Sequence, residues 1–196
     1  MCLSAFGSIR GPLLLYYFSP HPSFIASQIP MELQQKLLIE RASLHHSRSI
    51  WEWRNDEVTR SVSRNSEVVT WDEHDAWFRR SIVNPDRFFY VGIPIRDPQQ
   101  SPIGVVRFYL LDSKKGYWEI SINMSPGVRG KGFGRLLLEC GTRAFVADTC
   151  DTCQCRRIYA EVKIGNIASS RLFASAGFSL CDSSPEGFLL YSFDFL

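Results

Sequence analysis

No apolar run in this 196-residue sequence approaches the roughly 20 residues that cross a bilayer, so no membrane span is expected. Charge of one sign is scarce too. The formal net charge is +2, and basic residues cluster no further than pairs such as Arg79-Arg80 and Arg156-Arg157, which argues against a nucleic-acid partner. Internal repeats and low-complexity tracts are missing, as is any Ser-His-Asp order or nucleophile elbow for covalent catalysis. Cysteine is present but poorly arranged for a metal. Cys150-Asp-Thr-Cys153-Gln-Cys155 offers three sulfurs where a structural zinc wants four ligands; no histidine lies near, and only Cys181 could complete the set. Cys2 stands apart, and Cys140 falls on an apolar helix face where it reads as a small hydrophobe. Reduced thiols and no metal are expected.

What remains is a chain able to bury a substantial core. Hydrophobic residues make up 45% and charged residues 21%, an ordinary globular balance, and a chain of this length buries roughly 70% of its unfolded surface. Residues 1–30 differ from the rest. They carry one charge, Arg10, and an apolar patch over Pro12–Phe18, but lack the basic start and cleavage site of a secretory leader. They are read as a tail or a start-site artefact, with a single domain over 31–196 opening at Met31, and the protein is expected to be cytoplasmic, a monomer or a homodimer.

The most informative stretch runs from Tyr117 to Ala144. Trp118, Ile120, Ile122 and Met124 alternate with Tyr117, Glu119, Ser121 and Asn123, the period of a strand with one apolar and one polar face. Pro126 and Gly127 end it. A glycine-rich turn follows, then Phe133, Leu136, Leu137, Cys140 and Ala144 at helical spacing, with Arg135, Glu139, Thr142 and Arg143 opposite and Glu139 four residues before Arg143. Strand, glycine turn and helix together make an anion site, because the first amides of a helix lack internal partners and glycines let an anion approach the backbone. The turn has no Gly-Lys-Ser/Thr ending, and Gly130-Lys131-Gly132-Phe133-Gly134 does not space its glycines as a dinucleotide fold does.

Arg129-x-x-Gly132-x-Gly134 resembles the pyrophosphate-binding motif of the GNAT N-acetyltransferase superfamily, and Asn166-Ile-Ala-Ser169…Phe173…Gly177-Phe178 resembles that superfamily's helix beside the pantetheine arm. The resemblance spans roughly residues 35–195. It implies acetyl-CoA as cosubstrate, held by Ile122, Met124, Arg129, Gly130, Lys131, Gly132, Phe133, Gly134, Asn166, Ser169 and Phe173. It also implies that the central strand and the strand after the glycine helix splay apart to admit pantetheine. Many members protonate the departing thiolate from a tyrosine on the last helix; the corresponding residue here is Phe173, which has no proton to give.

Taken in order, the chain reads as a strand over Gln35–Ala42, a helix capped by Ser43 or Ser47 and ending near Asn55, and a loop over 56–68. A capping box, Thr70-Trp-Asp-Glu73, then opens a helix to about Ile82. Strands over Arg87–Ile95 and Pro102–Leu111 precede the central strand. After the glycine helix come a strand over Arg157–Ile164, a helix capped by Asn166, and a final hairpin over Phe178–Cys181 and Phe188–Phe195. The pattern predicts a mixed α/β (α+β) domain with a mostly antiparallel sheet of about seven strands and about four helices on both faces.

Two constellations carry the chemistry. Glu119, on the polar face just before the glycine turn, is either a general base for the acceptor amine or a structural carboxylate; the resemblance favours the base. Trp53, Arg54, Asn55, Arg60, His74 and Trp77 form either a core patch or an acceptor wall, with His74 at a spacing that suits a core histidine. Trp-Arg-Asn followed by His-x-x-Trp-Phe resembles acetyltransferases acting on nucleotide-linked amino sugars of the pseudaminic-acid type. The expected activity is therefore acetyl transfer to a small-molecule amine, preferably such a sugar. The alternatives are a protein N-terminal or ribosomal-protein acetyltransferase, and a non-catalytic acyl-CoA sensor.

Overall fold

The computed structural model describes residues 37–95, 99, 101–149 and 155–195. The expectations for residues 1–36, which include Cys2, and for Cys150 and Cys153 lie outside the described residues. Seven strands form one sheet: β1 (Leu37–Arg41), β2 (Arg87–Pro94), β3 (Gly104–Asp112), β4 (Tyr117–Met124), β5 (Arg157–Lys163), β6 (Ser179–Ser184) and β7 (Phe188–Asp194). Their spatial order is β1-β2-β3-β4-β5-β7-β6. Every neighbouring pair is antiparallel except β4 and β5, which run parallel and are joined by a helix.

Among the described residues, five α-helices flank the sheet: α1 (Ser47–Asn55), α2 (Glu57–Ser61), α3 (Trp71–Ile82), α4 (Phe133–Thr149) and α5 (Ile167–Ser175). α2 falls within the span 56–68 that is expected from sequence to be a loop. Asp56 starts it by accepting a hydrogen bond from the Thr59 amide, and at five residues it is too short to show an apolar period. The strand boundaries shift by one to three residues, as fraying ends do. Before α1 a 3₁₀ turn at Leu44–His46 intervenes: Ser43 opens that turn, and α1 begins at Ser47 itself. The capping box read from sequence at Thr70 and the cap read at Asn166 are present, each side chain accepting an amide three residues on.

Alternation along β3 and β4 divides the core. Val106, Phe108, Trp118 and Ile120, with Ile158, Ala160 and Val162 of β5, face α4 and α5, where Leu138, Phe145 and Phe173 complete the cluster. Val105 with Phe89 and Val91 of β2 faces the other way, onto Ile50 and Trp53 of α1 and Phe78 of α3. The polar row of β4 shares this second face, so α1 and α2 look onto Glu119, Ser121 and Asn123. On α4 the buried stripe is broader than the spacing suggests: Phe145 stacks on Phe108 with centroids 4.1 Å apart. Thr142, expected on the polar side, is buried and donates its hydroxyl to the Leu138 carbonyl. Glu139 pairs with Arg135 rather than Arg143.

α4 lies close to β3 because Gly141 has no side chain. A Cβ there would sit 2.6 Å from Val106 Cγ1 and 3.3 Å from its Cβ. Val106 is β-branched and in a strand, so it cannot swing aside cheaply. Gly141→Ala should therefore lower stability by about 1–3 kcal/mol in thermal or denaturant unfolding, overpacking outweighing the ~1 kcal/mol that alanine gains in a helix. A more stable variant would show that the helix can lift off the sheet.

Candidate active site

β4 and β5 stay paired only from Tyr117–Arg157 to Ile120–Ala160. Beyond that, Ser121–Met124 continue beside β3, while Glu161–Lys163 continue beside β7. The two strands part, leaving the backbone edges of both arms unclaimed by one another. The glycine turn lies at the end of the β4 arm. Pro126–Val128 make a 3₁₀ turn, and Gly130 and Gly132 adopt φ of +75° and +83°, which side chains rarely tolerate. A Cβ at either would meet no protein atom within 4 Å. The first amides of α4 open beside them, without partners in their own helix. This geometry fits a pyrophosphate held by backbone, with exposed Lys131 alongside. Gly134 differs: its Cβ would point at Leu172 of α5 at an ordinary 3.7 Å. Ile122, Met124 and Phe133 are half-buried around the same end of the sheet.

Arg129 is not turned toward this cradle. Its Nη1 pairs with Asp56 at 2.6 Å, Nη2 donates to Thr59 Oγ1 at 2.9 Å and to the Met124 carbonyl at 3.1 Å, and Nε also reaches that carbonyl. Arg129, expected among the pyrophosphate-binding residues, here ties the turn to α2. Burial raises the Asp56 pKa, but the bonds from Arg129 and the Thr59 amide outweigh it and hold the carboxyl below its usual range.

α2 spans the gap from above. Thr59 donates to Asn123 Oδ1 on β4 at 3.2 Å, and the Ser61 carbonyl accepts from Lys163 Nζ on β5 at 2.9 Å. Beyond α2, Arg64 pairs with Glu161 and Glu186 and lies over the Phe188 ring. The segment to Thr70 is then pinned to α1. The Asn55 side chain bonds both the amide and the carbonyl of Val69, Arg54 Nη2 donates to the Asn65 carbonyl at 2.7 Å, and Arg60 donates to the carbonyls of Asn55 and Ser66.

Glu119 sits at the foot of the gap, one residue before the strands part, opposite Tyr109 on β3 and Tyr159 on β5. It is half-buried, and its pKa is raised, first by burial and then by the nearby Glu161 carboxylate; Arg107 and Arg64 pull it back in part.

The aromatic part of the expected acceptor wall is largely core. Trp53 is 6% exposed and packs with Ile50 and Phe78; His74 is 2% exposed, stacks on Phe78 and bonds the Ser47 carbonyl through Nε2 at 3.0 Å. Burial depresses the His74 pKa, keeping the ring neutral. Trp77 is half-buried against Phe89. Phe173 is buried, edge-on to Phe178 and stacked with Tyr191. Asn166 caps α5 by accepting the Ser169 amide through its side-chain oxygen at 3.1 Å. Arg107, Glu161, Arg64, Asp56 and Thr59 are not among the site residues expected from sequence, since nothing local marks partners such as Arg64 and Glu161, 97 positions apart, or Asp56 and Arg129, 73 apart.

One cluster among the described residues has metal-ligand chemistry: Glu40, His45 and His46. His46 Nδ1 accepts the Ser43 amide at 3.1 Å, so Nε2 carries the proton and donates it to Glu40 at 2.9 Å. That proton occupies the lone pair a metal would need. Cys181 is an exposed free thiol.

The acetyltransferase (GNAT) domain family matches residues 36–179, well over half of the chain. The chain belongs to the GNAT acetyltransferase family. It is an acetyl-CoA-dependent N-acetyltransferase with the mixed sheet that its sequence predicts. No curated protein matches it in sequence. Solved structures share the GNAT fold at low identity. Spermidine N-acetyltransferase from Vibrio cholerae, in complex with CoA and spermine, is 19% identical at a TM-score of 0.67, covering 82% of this chain and 96% of that one. An N-acetyltransferase from Staphylococcus aureus is 22% identical at a TM-score of 0.66, covering 82% and 99%. A putative acetyltransferase from Salmonella typhimurium with its cofactor acetyl-CoA is 22% identical at a TM-score of 0.64, covering 82% and 95%. No described helix of this GNAT chain is long and apolar enough to cross a membrane.

The cradle and the tie should separate by mutation. Gly132→Val should weaken acetyl-CoA binding at least about tenfold by calorimetry, whereas Gly134→Ala, whose methyl faces Leu172, should bind within about twofold of wild type. Arg129→Gln should leave acetyl-CoA affinity nearly intact and raise the acceptor KM by freeing α2. A large loss of acetyl-CoA affinity in Arg129→Gln would restore the phosphate role.

Proposed function

We propose that this protein transfers the acetyl group of acetyl-CoA directly to the primary amine of a small molecule, with Glu119 as general base and a nucleotide-linked amino sugar as the preferred acceptor. The observation that carries this reading is a half-buried carboxylate, raised toward neutrality, at the point where β4 leaves β5. An ammonium cannot attack until it loses a proton, and a base works best when its pKa lies near the working pH. Burial and Glu161 push Glu119 in that direction. Acetyl-CoA supplies the activated acyl thioester. The chain supplies the base, the free β4 and β5 edges that can bond pantetheine amides, and α2 as a roof that excludes water. Phe173 offers no proton to the leaving thiol, whose reference pKa of about 8.5 makes it a tolerable leaving group without an acid.

For the acceptor, Arg54 and Arg60 are the wall residues whose charge suits a diphosphate. Trp53 and His74 do not support the sugar, being core. A polycationic acceptor like the spermine of the Vibrio structure would look for carboxylates, but Glu161 and Glu186 are already taken by Arg64.

Glu119→Gln should lower kcat/KM by roughly 10²-fold at neutral pH, with the deficit shrinking as pH rises and free amine accumulates. Stability should move the opposite way. Because the folded state holds the Glu119 pKa above its unfolded value, ionisation costs the wild type stability as pH rises from the unfolded toward the folded pKa, and a glutamine escapes that cost. The variant should therefore melt higher than wild type at pH 8, and the two should converge near pH 4. A variant that is fully active and no more stable would remove Glu119 from the reaction.

A further inference from the structure

Beside Glu119, the acceptor face carries cations with no ion-pair partner. Arg129 is matched to Asp56, and Arg64 to Glu161 and Glu186. Arg54, Arg60 and Arg107 have no carboxylate within ion-pair distance among the described residues. Arg54 and Arg60 donate to backbone carbonyls, and Arg107 donates through Nε to Ser121 Oγ at 3.1 Å. None of these contacts neutralises a charge. The three lie near enough to repel: after burial itself, Arg107 and then Arg60 are what lower the Arg54 pKa. Arg54 also buries its Nη1 with no hydrogen-bond partner in the protein. Leaving a buried guanidinium N–H unmet is costly, and gathering like charges around it adds to the cost. A fold seeking only stability would place a carboxylate there.

We propose that Arg54 and Arg107, with Arg60 behind them, form an anion subsite that receives an acid group on the acceptor, so that the substrate is an amine bearing a carboxylate or phosphate. Placement supports this. Arg107 lies opposite Ser121 and Tyr109 opposite Glu119, so Arg107 and Glu119 are diagonal partners across β3 and β4, about 7–8 Å apart at the backbone. α1 packs on β4 and carries Arg54 in its last turn over the same face. One small molecule can thus set its acid on the guanidiniums and its amine at Glu119. The subsite rests on the acetyl-transfer reading above, and it extends the acceptor contacts to Arg107, on a strand the sequence reading treats only as scaffold.

Matched acceptors test it on the full chain with saturating acetyl-CoA, following thiol release. Cadaverine against 5-aminopentanoate exchanges an amine for a carboxylate; ethanolamine against phosphoethanolamine adds a phosphate. The acid-bearing member of at least one pair should have a kcat/KM at least about tenfold higher, and the pair that responds identifies the acid. Arg107→Gln and Arg54→Gln should bring that ratio toward one while leaving the acetyl-CoA Kd unchanged. Arg54 also anchors Asn65, so a melting curve accompanies each variant, and Arg107→Gln, whose partner is a single serine hydroxyl, decides if Arg54→Gln unfolds. Equal or reversed preference, or a ratio that survives both substitutions, overturns the subsite. If no amine turns over, calorimetry of the same acceptors on the CoA-loaded protein still separates the two claims. Tighter binding of the acid-bearing members keeps the subsite and removes the acetyl-transfer reading; equal binding removes the subsite.

Discussion

The parting of β4 from β5 after Ile120 and Ala160 is the constraint on which the rest of the site depends. Two parallel strands that stayed paired would satisfy each other's backbone and leave no slot in the sheet. Here each arm keeps its outer partner, β3 or β7, and gives up its inner one. The apolar face below is sealed by Ala160, Val162 and Phe173, and the polar face above opens to α2. In the proposed reading, a ligand with its own amides completes the ladder here and brings its acyl group next to Glu119. The glycine turn belongs to the same device, since it is the continuation of the β4 arm into α4.

Holding such a slot open needs a brace, and α2 provides it. Its hydrogen bonds reach Asn123 on one arm and Lys163 on the other, and Arg129 ties its N-cap to the cofactor turn. α2 and the glycine turn are thereby one hydrogen-bonded unit. These groups are only partly buried, so the network's value lies in fixing geometry more than in net stability.

Much of this was legible in the sequence wherever the signal is local. The alternation of Tyr117–Met124, the positive-φ glycines, the Thr70 box and the Asn166 cap each involve residues a few positions apart, and all are in place. What stays hidden is of two kinds. α2 is too short for periodicity to reveal. The tie made by Arg129 and the burial of Trp53 depend on residues far away in the chain: Asp56 is 73 positions from Arg129, and Ser47, bonded by His74 as the core histidine its spacing suits, is 27 from it. A charged or aromatic residue next to a motif is easily read as part of it when the competing partner cannot be seen.

The central claim, that acetyl-CoA enters where β4 and β5 part, is open to amide hydrogen exchange with and without acetyl-CoA. The account predicts slowed exchange at residues 121–124 of β4 and at 130–134 of the turn and the first residues of α4, with little change along the already paired stretch 117–120. Protection that left both segments unchanged while acetyl-CoA saturated the protein would contradict it.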